Sequence, residues 1–223
     1  MKKKSKRYKN LLKMSVKDKK LSTKEILDLV KKNSSVKFNE SIDVSLKINL
    51  KQSKGGDFSL RTIVKLPHGS GKKEKVAVLC ESSKLEEAKK SGADIVGSED
   101  LIENIASGKL NFTKLICTPS MMGKIGKHGK VLGPKGLMPN PKLGTVSNDI
   151  IKSVNEFKNG LVEIRNDKDG NLGSTIGRKS FSIENLYDNF NYLIDSVKKS
   201  KPDSIKGEFI KNIFITSTMG ISY

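Results

Sequence analysis

The chain is 223 residues long, and its 43 lysines and arginines outweigh 24 aspartates and glutamates to give a net charge of +19. That length suits one large domain or two small ones with real cores, and that charge calls for a nucleic acid or another anionic surface. No apolar run of about 18 residues exists to span a membrane, and Cys80 and Cys117, without metal-ligand spacing, fit a reducing cytoplasm.

The first twenty residues hold nine lysines, one arginine and no apolar core, which excludes a secretory signal and does not suit an arginine-rich presequence. Tyr8, Leu11, Leu12 and Met14 have the spacing of a short amphipathic helix, and a solvated basic arm fits the same residues. Ser22 and Glu25 form a capping box, so a helix begins there, with Ile26, Leu29 and Val30 as its apolar stripe and an end near Asn33. Over Ser41–Lys51 the residues Ile42, Val44, Leu46, Ile48 and Leu50 alternate with polar neighbours, the pattern of an antiparallel strand with one buried face. A Gly- and Ser-rich turn from Ser53 to Asp57 leads to a second strand, Leu60–Leu66, which predicts a hairpin. Pro67-His68-Gly69 then breaks the pattern and sets the first domain boundary at 66/67.

A different grammar follows. Val76–Cys80 is a continuous apolar run, as in a strand covered on both faces. Ser82 or Ser83 can cap a helix carrying Leu85 and Ala88 that stops at Gly92. Ala93–Gly97 reads as a strand, Glu99–Ala106 as a helix and Leu115–Cys117 as a third strand. This alternation implies a right-handed, doubly wound parallel unit. No G-x-G-x-x-G follows the first strand, so a dinucleotide site is not expected.

Residues 121–145 hold five glycines before Lys142, three prolines, five lysines and no acid. Gly133-Pro134 and Pro139-Asn140-Pro141 forbid a continuous helix or central strand, yet Ile125, Val131, Leu132, Leu137, Met138 and Leu143 are too apolar for a free linker. The expectation is an ordered basic loop at the C-terminal end of the third strand. Lys124, Lys127, Lys130 and Lys135 either contact phosphates or are solvated lysines on a loop that covers the sheet. Its G-x-x-G units resemble the KH clamp, but Gly133-Pro134 stops a following helix within a few residues, and no Walker loop is present.

Val146–Asn159 reads as a helix closed by Gly160, which sets the second boundary at 159/160. Antiparallel grammar then returns with a strand at Leu161–Arg165, a turn at Asp167–Gly170, an expected partner strand at Leu172–Gly177, a helix at Glu184–Lys199 and a strand at Phe209–Ser217. The turn lacks the Gly and Glu that a calcium loop needs at its sixth and twelfth positions. The expected fold is therefore α/β: a discontinuous α+β domain from residues 1–66 and 160–223, with an inserted Rossmann-like parallel domain at 67–159. Charge is concentrated at the start, +13 over residues 1–66 (19 basic, 6 acidic), +5 over 67–159 (15 and 10) and +1 over 160–223 (9 and 8).

No catalytic constellation emerges, since His68 and His128 lack partners in a recognised spacing. No metal or other cofactor is implied. Cys80 and Cys117, at strand ends, read as buried structural thiols. Phe38 either packs in the core or stacks on a base beside Lys37, and Thr216–Gly220 offers hydroxyls and an approachable backbone at a strand terminus. A nucleotide-dependent enzyme and a DNA-compacting protein are the rival readings. The first requires nucleotide to raise thermal stability, and the second predicts no preference for folded RNA over duplex DNA.

Gly123, the run Leu132-Gly133-Pro134-Lys135-Gly136-Leu137-Met138-Pro139-Asn140-Pro141-Lys142 and Gly144-Thr145-Val146 resemble the signature of the L1 family of large-subunit ribosomal proteins, bacterial type. Lys6-Arg7-Tyr8, Lys37-Phe38-x-Glu40, Leu66-Pro67-His68-Gly69, Gly92-Ala93-Asp94, Arg165-Asn166-Asp167-Lys168 and Thr218-Met219-Gly220 extend the resemblance over nearly the whole chain. It implies a cytoplasmic ribosomal protein, monomeric when free, that binds 23S rRNA at the mobile stalk, helps tRNA leave the exit site and can repress its own mRNA. By matching position it implies RNA contacts from Lys37, Phe38, Glu40, Ser41, Arg165, Lys168, Ser217, Thr218, Met219 and Gly220. The lysines at 124, 127, 130 and 135 are then secondary contacts. Ser41 stands where the family commonly has threonine, and the strand after Gly170 departs from the family pattern, so no site is carried onto it.

Overall fold

The structure, a computed structural model, describes residues 5–14, 21–49, 60–202, 205 and 207–223. The chain divides into two compact units, residues 1–71 with 162–223 and residues 72–161.

In the first unit, α1 (Lys6–Met14) seats Leu11 in the interior. Helix α2 (Thr23–Lys32) starts at the expected capping box, with the Ser22 N–H donating to Glu25 Oε2 at 2.8 Å and the Glu25 N–H to Ser22 Oγ at 3.4 Å. Its buried stripe centres on Leu27 and Val30, one step round the helix from the expected Ile26, Leu29 and Val30. Strand β1 (Ser41–Ile48) keeps the predicted alternation, and Ile42, Val44, Leu46 and Ile48 are each at most 1% exposed. Each such burial is worth about 1.5–3 kcal/mol, so a one-residue slip that turned all four outward would cost most of a domain's stability.

β1 is the central strand of an antiparallel sheet, flanked by β7 (Asn171–Arg178) and β8 (Ile210–Ser217). This corrects the predicted hairpin. Both edges of β1 are taken by strands from the far end of the chain, while β2 (Arg61–Lys65) pairs with β6 (Leu161–Arg165). The predicted turn at 53–57, like Leu50 and Lys51, lies outside the described residues. β6 and β7 likewise form no ladder, meeting only at the Asn166–Leu172 bridge. Helix α8 (Ile183–Lys199), capped by Ser182, lays Leu186, Leu193 and Val197 into the same core. Fully buried Asn189 fastens this helix: its Nδ2 donates to Ile176 O (2.7 Å) and Gly69 O (3.0 Å), and its Oδ1 accepts from the His68 N–H (3.1 Å).

The second unit is a parallel sheet in the order β4 (Ile95–Gly97), β3 (Val76–Leu79), β5 (Lys114–Cys117). Alternate residues feed two cores. Ala77, Leu79, Leu115 and Cys117 meet α4 (Glu99–Ala106) through Leu101 and Ile105. Val76, Val78, Cys80 and Ile116 meet α3 (Leu85–Lys90) and α7 (Ile150–Lys158) through Ala88, Ile150 and Val154. Helices on both faces explain why the three strands read as continuous apolar runs. Both thiols are buried, and burial pushes that of Cys117 up to about 11.

Two local expectations change here. Ser82 and Ser83 lie in a single 3-10 turn, Ser82–Lys84, and cap nothing with their side chains. Val146 belongs to the sheet, because Cys117 N–H donates to Thr145 O (2.9 Å) and Ser147 N–H to Cys117 O (3.2 Å), so α7 begins only at Ile150. No helix among the described residues is long and apolar enough to cross a membrane.

Candidate nucleic-acid interface

Antiparallel pairing of β1 with β8 brings the start of one strand beside the end of the other, with Ile42 opposite Ser217. Beyond that pair the chain turns sharply through 217–220, where the Gly220 N–H donates to Ser217 O at 3.1 Å, and then returns alongside β8. Ile215 and Tyr223 exchange both backbone hydrogen bonds, at 2.9 and 3.0 Å. A Cβ at Gly220 would stand 2.3 Å from Ser217 Oγ, so a side chain there would force that hydroxyl out of its place.

Three groups from the start of β1 hold this turn. The Ser41 N–H donates to Thr218 Oγ1 (3.0 Å), the Thr218 N–H donates to Ser41 O (3.1 Å), and the Met219 N–H donates to Glu40 Oε2 (3.0 Å). Glu40 is wholly buried and Ser217 almost so, and Glu40 Oε1 and Ser217 Oγ have no hydrogen-bond partner. Buried acceptors of this kind are costly to a fold, and native proteins keep them at few sites. Two large apolar residues adjoining them in the chain are open to solvent: Phe38 is 53% exposed and Met219 45%, with Lys37 exposed beside Phe38. Phe38 is therefore not a core residue.

The structure thus unites Lys37, Phe38, Glu40 and Ser41 with Ser217, Thr218, Met219 and Gly220. Arg165 and Lys168 stand apart. The Lys47–Asn171 pair, next to their turn, lies six β1 residues from the Ser41–Arg178 pair, or about 20 Å by strand rise. Their turn is held by Asp167, whose carboxylate accepts from the Asn171 side chain (2.8 Å), the Asn171 N–H (2.7 Å) and the Asp169 N–H (3.0 Å), and these bonds keep it below the usual carboxylate range.

Sequence reasoning gave no role to Arg178, the last residue of β7, or to Lys179 just beyond it. The register sets Arg178 opposite Ser41, and its guanidinium donates to Gly71 O (3.0 Å) and Asn39 O (3.3 Å). The Lys179 ammonium reaches Ser34 O, and Asn39 bonds Ser180. These contacts pin the 34–40 loop that displays Phe38. The available signal was the basic pair at the end of β7 and just past it, but reading it needed the pairing that sets Arg178 opposite Ser41.

The basic stretch is ordered in the second unit. It contains two short helices, α5 (Met122–Gly126) and α6 (Gly129–Leu132), where only a loop was expected. They fit because the sequence forbids only a continuous helix: the first closes at Lys127 and the second ends at Gly133-Pro134. Ile125 and Leu132 are fully buried against the α4 face of the sheet. Lys127, Lys130 and Lys135 are exposed, while Lys124 forms an ion pair with Glu99 at 2.6 Å. Beside this pair, at the C-terminal ends of β3 and β4, opens a cleft of about 770 Å³. Its charged lining is Glu81, Glu99 and Asp100 against Lys89 and Lys124, an acidic balance that does not suit a phosphate cradle.

Fold and surface together define a two-unit α/β protein that gathers hydroxyls, a buried carboxylate and exposed apolar groups at a backbone turn. Residues 30–221 match the Ribosomal protein L1p/L10e family, and the chain belongs to it. It is similar to the large ribosomal subunit protein uL1 of Pelagibacter ubique, 58% identical over 89% of this chain and 86% of the relative. The uL1 of Thermosipho melanesiensis is 46% identical over 99% of this chain and 95% of its own. The uL1c of Gracilaria tenuistipitata var. liui is 47% identical over 100% and 94%. The family is one of ribosomal proteins, not of enzymes.

Proposed function

We propose that this chain is a structural constituent of the large ribosomal subunit that binds 23S rRNA at the mobile stalk through its first unit. The turn at Met219, held by Glu40 and Ser41 and flanked by the exposed Phe38, is the observation that carries this reading. A structured RNA is recognised by shape, backbone and 2′-OH contacts, because its deep groove does not admit side chains. The turn offers Thr218 and backbone groups for the hydroxyls, Phe38 and Met219 for apolar faces, and Lys37 for phosphate. Arg165, Lys168 and the lysines of the basic stretch add salt-dependent affinity at a distance from it. Binding of exit-site tRNA during its release and repression of its own mRNA follow from the same surface and the family's role. The protein acts in the cytoplasm and is a monomer before assembly.

A competition titration of a stalk rRNA fragment against duplex DNA of equal length, repeated across salt, tests this. The fragment wins at every salt concentration. Phe38→Ala weakens fragment binding by about 1–3 kcal/mol, the cost of a lost base–aromatic stack, and Met219→Ala weakens it as well, both with unchanged melting temperature. Equal affinity of both variants and the parent protein would place the site elsewhere.

A further inference from the structure

We infer that helix α1 belongs to the RNA site and that Arg7 is its positioning residue, setting the Met219 turn from outside. The inference rests on the rRNA reading above. Arg7 Nη1 donates to the Met219 carbonyl at 2.9 Å and to Ser35 Oγ at 3.4 Å. Met219 is therefore held at both of its backbone groups, its N–H by Glu40 and its C=O by Arg7, while its side chain stays 45% exposed. Leu11, one helical turn after Arg7, is 4% exposed and anchors the helix that brings the guanidinium there. Lys6, Lys9 and Lys13 of the same helix face solvent.

Among the first 60 residues Arg7 is the single arginine beside 16 lysines. A lysine supplies charge as well as an arginine does. Nη1 makes both contacts, and its two N–H bonds lie in the rigid guanidinium plane, whereas the donors of a lysine ammonium rotate freely on a flexible stem. The contact also joins sites 212 residues apart in the chain, so it couples the basic arm to the turn rather than to its own neighbourhood.

The test titrates the full-length protein, Arg7→Ala and Arg7→Lys with the rRNA fragment across salt, with duplex DNA as the control. Arg7→Ala loses about ten-fold in fragment affinity, the cost of a hydrogen bond from a charged donor, with an unchanged salt slope and unchanged duplex binding. Arg7→Lys falls with the alanine variant, and adding Met219→Ala to Arg7→Ala costs no more than Met219→Ala alone. Parent-like affinity of Arg7→Ala overturns the inference. So does a slope lowered by about one with affinity restored by lysine, which would make Arg7 a plain phosphate contact. A parent protein that prefers no RNA over duplex would instead sink the rRNA reading itself.

Discussion

At the scale of single residues, Glu40 sets two demands against each other. Its side chain is fully buried, one carboxylate oxygen accepts from the Met219 N–H at 3.0 Å, and the other has no partner. Taking a carboxylate out of water costs several kcal/mol, and one hydrogen bond from an uncharged donor does not repay that. Residues retained against stability mark places where function has the stronger claim. Glu40→Gln keeps an acceptor for Met219 and removes the buried charge. Its melting temperature is therefore expected to equal or exceed that of the parent, while its affinity for the rRNA fragment falls. A glutamine variant that melts several degrees lower and binds normally would show that the carboxylate serves the fold alone. Phe38 and Met219 make the same argument in weaker form, since each leaves about half of a large apolar side chain in water.

At the scale of elements, the site is displayed by β1, and the pairing of β1 is secured from below by α8. Gly177 in β7 is a tight point against this helix: a Cβ there would stand 2.7 Å from Leu186 Cδ2 of α8 and 2.9 Å from Cδ2 of Phe181, just before it. Gly177→Ala should cost about 1–3 kcal/mol by overpacking and lower the melting temperature by several degrees. An alanine variant with parent stability would show that α8 shifts freely on the sheet. The elements themselves were legible because their signals are local: the capping box at Ser22, the alternation of β1 and the apolar runs of β3 and β5 each state their period within a few residues. Pairing is not local. Nothing near β1 announces that its partners begin at Asn171 and Ile210, so the hairpin with β2 was the natural and mistaken inference. The same blindness hid the part that Arg178 and Lys179 play in holding the 34–40 loop, while Thr216–Gly220 stood out locally by its hydroxyls and approachable backbone and was given its RNA role by the family resemblance. Val146 shows the opposite error, in which helical periodicity was read four residues too far because a backbone bridge to Cys117 leaves no mark in sequence.

At the scale of the whole molecule, the two units own separate cores. One is built on Ile42, Val44, Leu46, Leu193 and Val197, and the others lie on the two faces of β3. Separate cores permit separate folding, so the first unit should survive removal of residues 72–161 when Gly71 and Val162 are rejoined by a short flexible linker. Charge argues that it would also keep its partner, because residues 1–66 carry +13 and residues 67–159 only +5. The inserted unit's exposed cations at 127, 130 and 135 are then an additive term in phosphate neutralisation. Each phosphate they engage contributes about 0.7–0.9 to the slope of log affinity against log salt. The deletion protein should therefore bind the stalk fragment specifically, with a shallower salt slope and a deficit that closes as salt is raised. Circular dichroism establishes that the deletion protein is folded before the titration is read. A folded deletion protein that no longer distinguishes the fragment from duplex DNA would move the principal site into the inserted unit, and the basic stretch would then be the contact that matters most.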